Sequence, residues 1–221
     1  GSADYFGGSV AIGNSKIVVG SPGNGKGYVH IYDLDGRLLN ELPQTDNTLS
    51  FRDRYGESVD VGCGRIVIGS PAAYSESGRV FVYDLFGNFI EAINPTSLGG
   101  GSNDRQFGEN VVVGSGRIVV GCGNTKEVYV YNLYGDVLIK KLTNPNVDND
   151  STVEDNSFGQ SIDVDDGKIV IGAWGNKDSG ASQAGMVFEY NLDGSYVGLG
   201  TVHNQFKSQG YKYGRGVAIG N

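Results

Sequence analysis

The chain has 221 residues, 37 of them glycine, and its 25 acidic against 17 basic residues give a formal net charge of −8. That balance argues against nucleic-acid and anionic-membrane partners, both of which need clustered Lys and Arg. No apolar stretch approaches the roughly 18 residues that a membrane-spanning helix needs, so membrane insertion is not expected.

Along the chain an aromatic-glycine pair recurs at Phe6-Gly7, Tyr55-Gly56, Phe107-Gly108, Phe158-Gly159 and Tyr213-Gly214, about every 50 residues. After each pair come a short alternating run, a two-residue turn and a solid apolar run ending in Gly: SVAIGNSKIVVG, SVDVGCGRIVIG, NVVVGSGRIVVG and SIDVDDGKIVIG. The fifth copy, GVAIGN, stops at that turn. The solid runs (Ile17 to Val19, Ile66 to Ile68, Ile118 to Val120, Ile169 to Ile171) are β-branched and continuous, which predicts strands covered on both faces. A third strand is predicted at YVHIYD, RVFVYD, EVYVYN and MVFEYN, running into turns whose Gly36, Gly87, Gly135 and Gly194 supply positive φ. A fourth follows at RLLNEL, NFIEAI, DVLIKKL and SYVGLG. No window shows apolar spacing of three and four, so almost no helix is expected.

Each unit is thus a four-stranded antiparallel meander, and one such sheet cannot bury both of its faces. Stacking copies around an axis does bury them. The predicted fold is all-β: a β-propeller of four-stranded antiparallel blades, with four full repeats plus one extra first strand. It forms a single domain over residues 1–221, with repeats at approximately 5–54, 55–106, 107–157 and 158–212 and a partial copy at 213–221. If four units close a ring, the first-strand copies Gly8 to Gly13 and Gly216 to Asn221 compete for one position. The strand left over invites another chain. The sequence therefore poses a four-bladed monomer closed by its terminal strand against a homo-oligomer formed by strand exchange.

These residues carry a family resemblance. Aromatic-Gly-x-Ser-Val, then Ile-Val-Val-Gly-Ser-Pro at Ile17 to Pro22 and Ile-Val-Ile-Gly-Ser-Pro at Ile66 to Pro71, then Gly-x-Val-x-x-Tyr-Asp, resemble the FG-GAP repeat of integrin α-subunit propellers and related bacterial and phage proteins. The resemblance covers nearly the whole chain and implies the propeller fold; it says little about function, because propellers host unrelated activities. It departs at Gly121-Cys122-Gly123 and Gly172-Ala173-Trp174, where the proline is missing. The resemblance also implies calcium, which many members hold in an Asp-rich loop between the first two strands. Here those connections are Gly13-Asn14-Ser15, Gly62-Cys63-Gly64, Gly114-Ser115-Gly116 and Asp165-Asp166-Gly167, too short to wrap about six to eight oxygens around the ion. No cofactor is expected there. The remaining place for calcium is the acidic loop from Asn146 to Asp155, through Asp148, Asp150, Glu154 and Asp155.

An acid also precedes most aromatic-glycine pairs (Asp4, Asp53, Asp104, Asp155), which suggests an Asx-type bond at the start of the first strand. Asp60 and Asp163 stand mid-strand where other copies carry Ala11, Val112 and Ala218, and a carboxylate there needs a partner. Backbone amides of a neighbouring blade or channel water fit better than an ion. Cys63 and Cys122 fall at opposite ends of their sheets, so no disulfide is expected between them. His30 and His203 have no sequence partner that suggests a triad or a metal cluster. The Gly-rich stretches at Gly23 to Gly27 and Gly99 to Gly101 lack the following helix that a phosphate site requires.

The chain therefore reads as non-enzymatic, a recognition or structural module binding protein or glycan through its long-loop face. Second-to-third and fourth-to-first connections share that face, and Phe51, Tyr74, Trp174, Phe206 and Tyr211 stand there among Asn, Asp, Ser and Gly. Trp174 is the leading candidate because it replaces the family proline. An adhesin or phage virion component, at an extracellular or virion surface, suits such a module. The alternative is a propeller hydrolase or lyase with an acidic site at the channel mouth, using Asp60, Asp163 or the acidic loop.

Overall fold

The computed structural model describes residues 5–23, 27–43, 53–73, 77–95, 106–123, 125–145, 157–175, 185–197 and 213–220. Its named elements are fifteen β-strands in four antiparallel sheets. The first sheet comprises β1 (Ser9–Gly13), β2 (Lys16–Ser21), β3 (Tyr28–Tyr32) and β4 (Leu38–Pro43), hydrogen-bonded in chain order. β5 (Ser58–Gly62), β6 (Arg65–Ser70), β7 (Arg79–Asp84) and β8 (Phe89–Ile93) form the second. β9 (Phe107–Gly114), β10 (Arg117–Cys122), β11 (Glu127–Asn132) and β12 (Leu138–Thr143) form the third. The fourth has three named strands, β13 (Phe158–Asp165), β14 (Lys168–Ala173) and β15 (Met186–Asn191). Tyr196 bridges Tyr190 where the other sheets carry a fourth strand, and the rest of that predicted strand lies outside the described residues.

Local turn chemistry dictates the meander. Gly62 pairs with Arg65 across a two-residue loop, and both loop residues, Cys63 and Gly64, have positive φ (50° and 76°). This is the type I′ geometry, whose twist matches that of the flanking strands. Asn14-Ser15, Ser115-Gly116 and Asp166-Gly167 repeat it. At the next hairpin the Asp that ends the Tyr-Asp motif closes the turn with its own side chain. Asp84 Oδ1 accepts the amides of Phe86 and Asn88 at 2.8 and 2.9 Å, and Asp33 Oδ1 accepts those of Asp35 and Arg37 at 3.1 and 2.8 Å.

The sheets then stack in sequence order. Val18, Val29, Ile31 and Leu42 of the first sheet meet Val59, Val61, Ile66, Ile68, Phe81 and Tyr83 of the second. Equivalent residues fill the two later junctions. First strands of successive sheets are neighbours, β1 against β5, β5 against β9 and β9 against β13, whereas the fourth strands make their main contacts within their own sheets. The sheets fan from a common line of first strands.

The aromatic-glycine pair explains the stacking. Glu57 N–H donates to the Arg54 carbonyl at 3.0 Å around Tyr55-Gly56, and Gly56 has a φ of 84°, as the third position of a type II turn requires. The Tyr55 ring is fully buried, edge-on to Phe81 at 5.3 Å. The Gly56 carbonyl points at the preceding sheet, where it accepts the Ser9 hydroxyl at 2.8 Å and lies so close to Gly20 that a Cβ there would run into it. The same lock joins the Gly108 carbonyl to Ser58 and Gly69, and the Gly214 carbonyl to Ser161 and Gly172. Residues 213–220 therefore sit on the fourth sheet as the first strand of a following sheet would.

β9 and β13 are longer than β1 and β5 and begin at the aromatic itself, pairing Phe107 with Cys122 and Phe158 with Ala173 across a bulge. These are the two repeats without the proline, which has no N–H to donate to a ladder. Cys63 is exposed in its turn, Cys122 is buried at the far end of β10, and neither is in a disulfide.

Gly69→Ala places a methyl group against the Gly108 carbonyl. It is expected to destabilise the fold by about 3 kcal/mol. Gly216→Ala, at a position with open space around it, is expected to stay near wild type. Urea-unfolding midpoints compare the two, and equal midpoints would show that the carbonyl-glycine approach does not matter.

Candidate functional site

The two ends of the sheets differ chemically. One carries the type I′ hairpins and the Asp- or Asn-closed turns. The other carries the aromatic-glycine turns together with the connections between second and third strands. Their proximity shows at Asp53, whose carbonyl accepts the Ser70 hydroxyl at 2.7 Å and the Ala72 amide at 3.3 Å.

On this second end the type II turns set out a row of equivalent positions, each directly after the glycine, Gly8, Glu57, Glu109 and Gln160, and Arg215 follows Gly214 at the same place in the sequence. At three of these positions the residue lies against the proline position of its own repeat. A Cβ on Gly8 would lie 3.1 Å from the Pro22 ring. In the third repeat Gly123 replaces the proline, and the Glu109 carboxylate occupies the space that a Cβ there would need. In the fourth, Trp174 replaces it, and its indole N–H donates to Gln160 Oε1 at 2.7 Å. The two departures from Gly-Ser-Pro are thus paired substitutions with Glu109 and Gln160.

The electrostatics of this row are uneven. Arg54 grips Glu57 with two hydrogen bonds, the one from Nε to Oε2 measuring 3.0 Å. Burial pushes the Glu109 carboxyl above the usual range, the positive charges of Arg54 and Lys126 draw it back, and Glu57 adds to the rise. Glu109 Oε2 has no hydrogen-bond partner among the described residues. Carboxyl, amide and guanidinium groups therefore stand in one row with a half-buried indole at its edge, a set suited to hydroxyl-rich or amide-rich ligands.

Of the sequence candidates, Trp174 falls in this row. Phe51, Tyr74, Phe206 and Tyr211 lie outside the described residues, as do Asp148, Asp150, Glu154 and Asp155 of the acidic loop, His203, Asp4 and Asp104. Among the described residues no three His, Cys, Asp or Glu side chains come together as a metal site would need. Asp53 is buried, and its backbone carbonyl is the group that ties Ser70 and Ala72 to the turn. Glu57, Glu109 and Gln160 escaped the sequence reading. Their signal was the fixed position after each aromatic-glycine pair, read jointly with the missing prolines.

Asp60 and Asp163 find the partners the sequence anticipates, backbone amides of the neighbouring first strand. Asp60 Oδ2 accepts the Val113 amide at 2.7 Å and its Oδ1 the Val61 amide at 2.8 Å. Asp163 repeats this with Ile219 at 2.8 Å and Val164 at 2.9 Å. Burial lifts the Asp60 carboxyl above its ordinary value; the two amides oppose the rise, and the Asp163 charge adds to it.

No protein-family model matches the chain, and no curated protein is significantly similar to it.

A carboxyl whose folded pKa is raised adds stability below its unfolded pKa, and the contribution is lost as pH rises through the folded pKa. Relative to Asp60→Asn, the unmodified chain is expected to gain stability between about pH 7 and about pH 4. Urea midpoints of both proteins across that window check the sign. A difference that stays constant, or that moves the other way, removes the burial argument for Asp60.

Proposed function

We propose that the chain is a non-enzymatic recognition module, a β-propeller of FG-GAP-like blades that binds a glycan or protein surface through the end bearing its aromatic-glycine turns. The observation that carries the reading is the row at that end, which holds Trp174 bonded to Gln160 and, at the equivalent position of the preceding repeat, Glu109, whose Oε2 has no hydrogen-bond partner among the described residues. An aromatic face held next to an amide, on a row that also carries carboxyl oxygens, suits a sugar ring, which offers C–H groups to the indole and hydroxyls to the polar groups. The fan of sheets about a line of first strands, with the aromatic-glycine lock repeated at each junction, supports the propeller. An adhesin-like or virion-surface role suits a rigid stack that presents its loops at one end.

The competing reading is a hydrolase or lyase. Glu109 favours it, because a raised carboxyl suits a general acid. Against it, Asp60 and Asp163 have both carboxylate oxygens engaged by backbone amides, so they serve the stacking of the sheets.

A glycan array probed with the chain and with Trp174→Ala tests the proposal. A specific signal is expected, with affinity at least about tenfold lower in the variant and the far-ultraviolet circular dichroism unchanged. Undiminished binding by Trp174→Ala removes this end as the site. Cleavage of the bound glycan moves the assignment to the hydrolase.

A further inference from the structure

The outer faces of the first and fourth sheets differ from every face between sheets. Val10 and Ile12 of β1 are 61% and 70% exposed, whereas Val59 and Val61 at the same positions of β5 are 8% and 4% exposed. Phe6 is exposed where Tyr55, Phe107 and Phe158 are fully buried. This is the face with which each later sheet sits on its predecessor, so it is shaped for the back of another such sheet. The equivalent back on the fourth sheet presents Val170, Val187 and Glu189, at the positions that Val18, Val29 and Ile31 fill in the junction between the first two sheets.

Residues 213–220 lie on that back, and their sequence nearly duplicates β1. Tyr213-Gly214-Arg215-Gly216-Val217-Ala218-Ile219-Gly220-Asn221 matches Phe6-Gly7-Gly8-Ser9-Val10-Ala11-Ile12-Gly13-Asn14, with Val-Ala-Ile-Gly-Asn identical. The other copies read Val-Asp-Val, Val-Val-Val and Ile-Asp-Val at the strand centre. The segment is held by the Gly214 carbonyl on the Ser161 hydroxyl and the Ile219 amide on Asp163 Oδ2. Gly7, in the turn before β1, and Ile12, within β1, carry the same two groups.

Two ionisable residues mark the same pair of faces. His30 stands where the other third strands carry Phe81, Tyr129 and Phe188, and Glu189 where they carry Ile31, Val82 and Val130. At every junction inside the chain these two positions share one apolar cluster: Ile31 with Phe81, Val82 with Tyr129, Val130 with Phe188. A first sheet seated on a fourth sheet therefore brings His30 to Glu189. His30 Nε2 lies 3.3 Å from Glu41, while its buried Nδ1 has no hydrogen-bond partner among the described residues. Glu189 has Lys168 at 3.1 Å.

We propose that the first sheet of one copy docks on the fourth sheet of a second copy, with β1 replacing residues 213–220, which cap that face in the separate chain. The contact is head-to-tail, and it closes into a ring of copies when its rotation permits. It uses the outer sheet faces and stands independently of ligand binding at the turn end.

A cysteine pair reads the junction directly. His30→Cys with Glu189→Cys, in a Cys63→Ser background, is expected to form under oxidation a covalent species of two 23.4 kDa chains, which neither single variant gives. Adding Ile12→Asp at its exposed position is expected to lower that yield about tenfold, since a carboxylate would be buried in the docked face. Light scattering of the unmodified chain, free of any folding effect of the substitutions, is expected to show masses rising with concentration in multiples of the chain mass. A single-chain mass at all concentrations overturns the proposal, and so does an unchanged yield with Ile12→Asp. A cross-link within one chain means that its own fourth sheet is the occupant. Linked dimers from His30→Cys alone mean that two first sheets meet. Either result overturns the head-to-tail contact between copies.

Discussion

The close approach of a turn carbonyl to a glycine of the preceding sheet is the constraint on which the rest of the molecule depends. Gly20, Gly69, Gly121 and Gly172 each end a solid apolar strand, and a Cβ at any of them would run into the carbonyl of Gly56, Gly108, Gly159 or Gly214. With the backbones this near, the rings of Tyr55, Phe107 and Phe158 fall into the core and meet the third strand of their own sheet edge-on. The serine hydroxyls of Ser9, Ser58 and Ser161 satisfy carbonyls that the stacking takes from water. Where Asn110 replaces that serine, its side chain reaches the Gln160 carbonyl one residue further on.

The same turn that locks the sheets also presents the candidate site. Its last residue is pinned by the backbone bond around the glycine, so Glu57, Glu109 and Gln160 project from a rigid platform rather than from a free loop. Proline at positions 22 and 71 gives way to Gly123 and Trp174 in the third and fourth repeats, and each replacement is matched to its neighbour on the turn. Change at the site is thereby confined to pairs of positions, while the lock beneath stays the same. Side chains held this way would lose little conformational freedom on binding a ligand.

Much of the architecture was legible because it is local. The two-residue turns demand positive φ, the alternating and solid runs carry the period of strands, and the Asp or Asn closing each Tyr-Asp motif caps its own hairpin. Trp174 stood out by breaking a repeated proline. Asp60 and Asp163 stood out as carboxylates in apolar strands, and the need for a buried charge to be bonded led to the neighbouring amides. Glu109 and Gln160 were not legible one at a time, because polar residues after a turn are ordinary. They became informative only once the pairing of first and second strands brought each against the proline position of its repeat.

What the sequence determined by itself was the strand, the turn and the meander, since each follows from backbone geometry and hydrogen bonding within about 50 residues. Only the tertiary structure decided which face of each sheet meets which neighbour. A continuous apolar run such as Ile66 to Ile68 buries both faces and carries no mark of direction, so Ile66 and Ile68 facing the first sheet and Val67 facing the third had to be seen in the packed molecule. The exposure of Val10 and Ile12, the duplicate of β1 resting on the fourth sheet, and the ionisable residues His30 and Glu189 on the two outer faces are properties of the stack. They depend on contacts between repeats, which no single repeat contains.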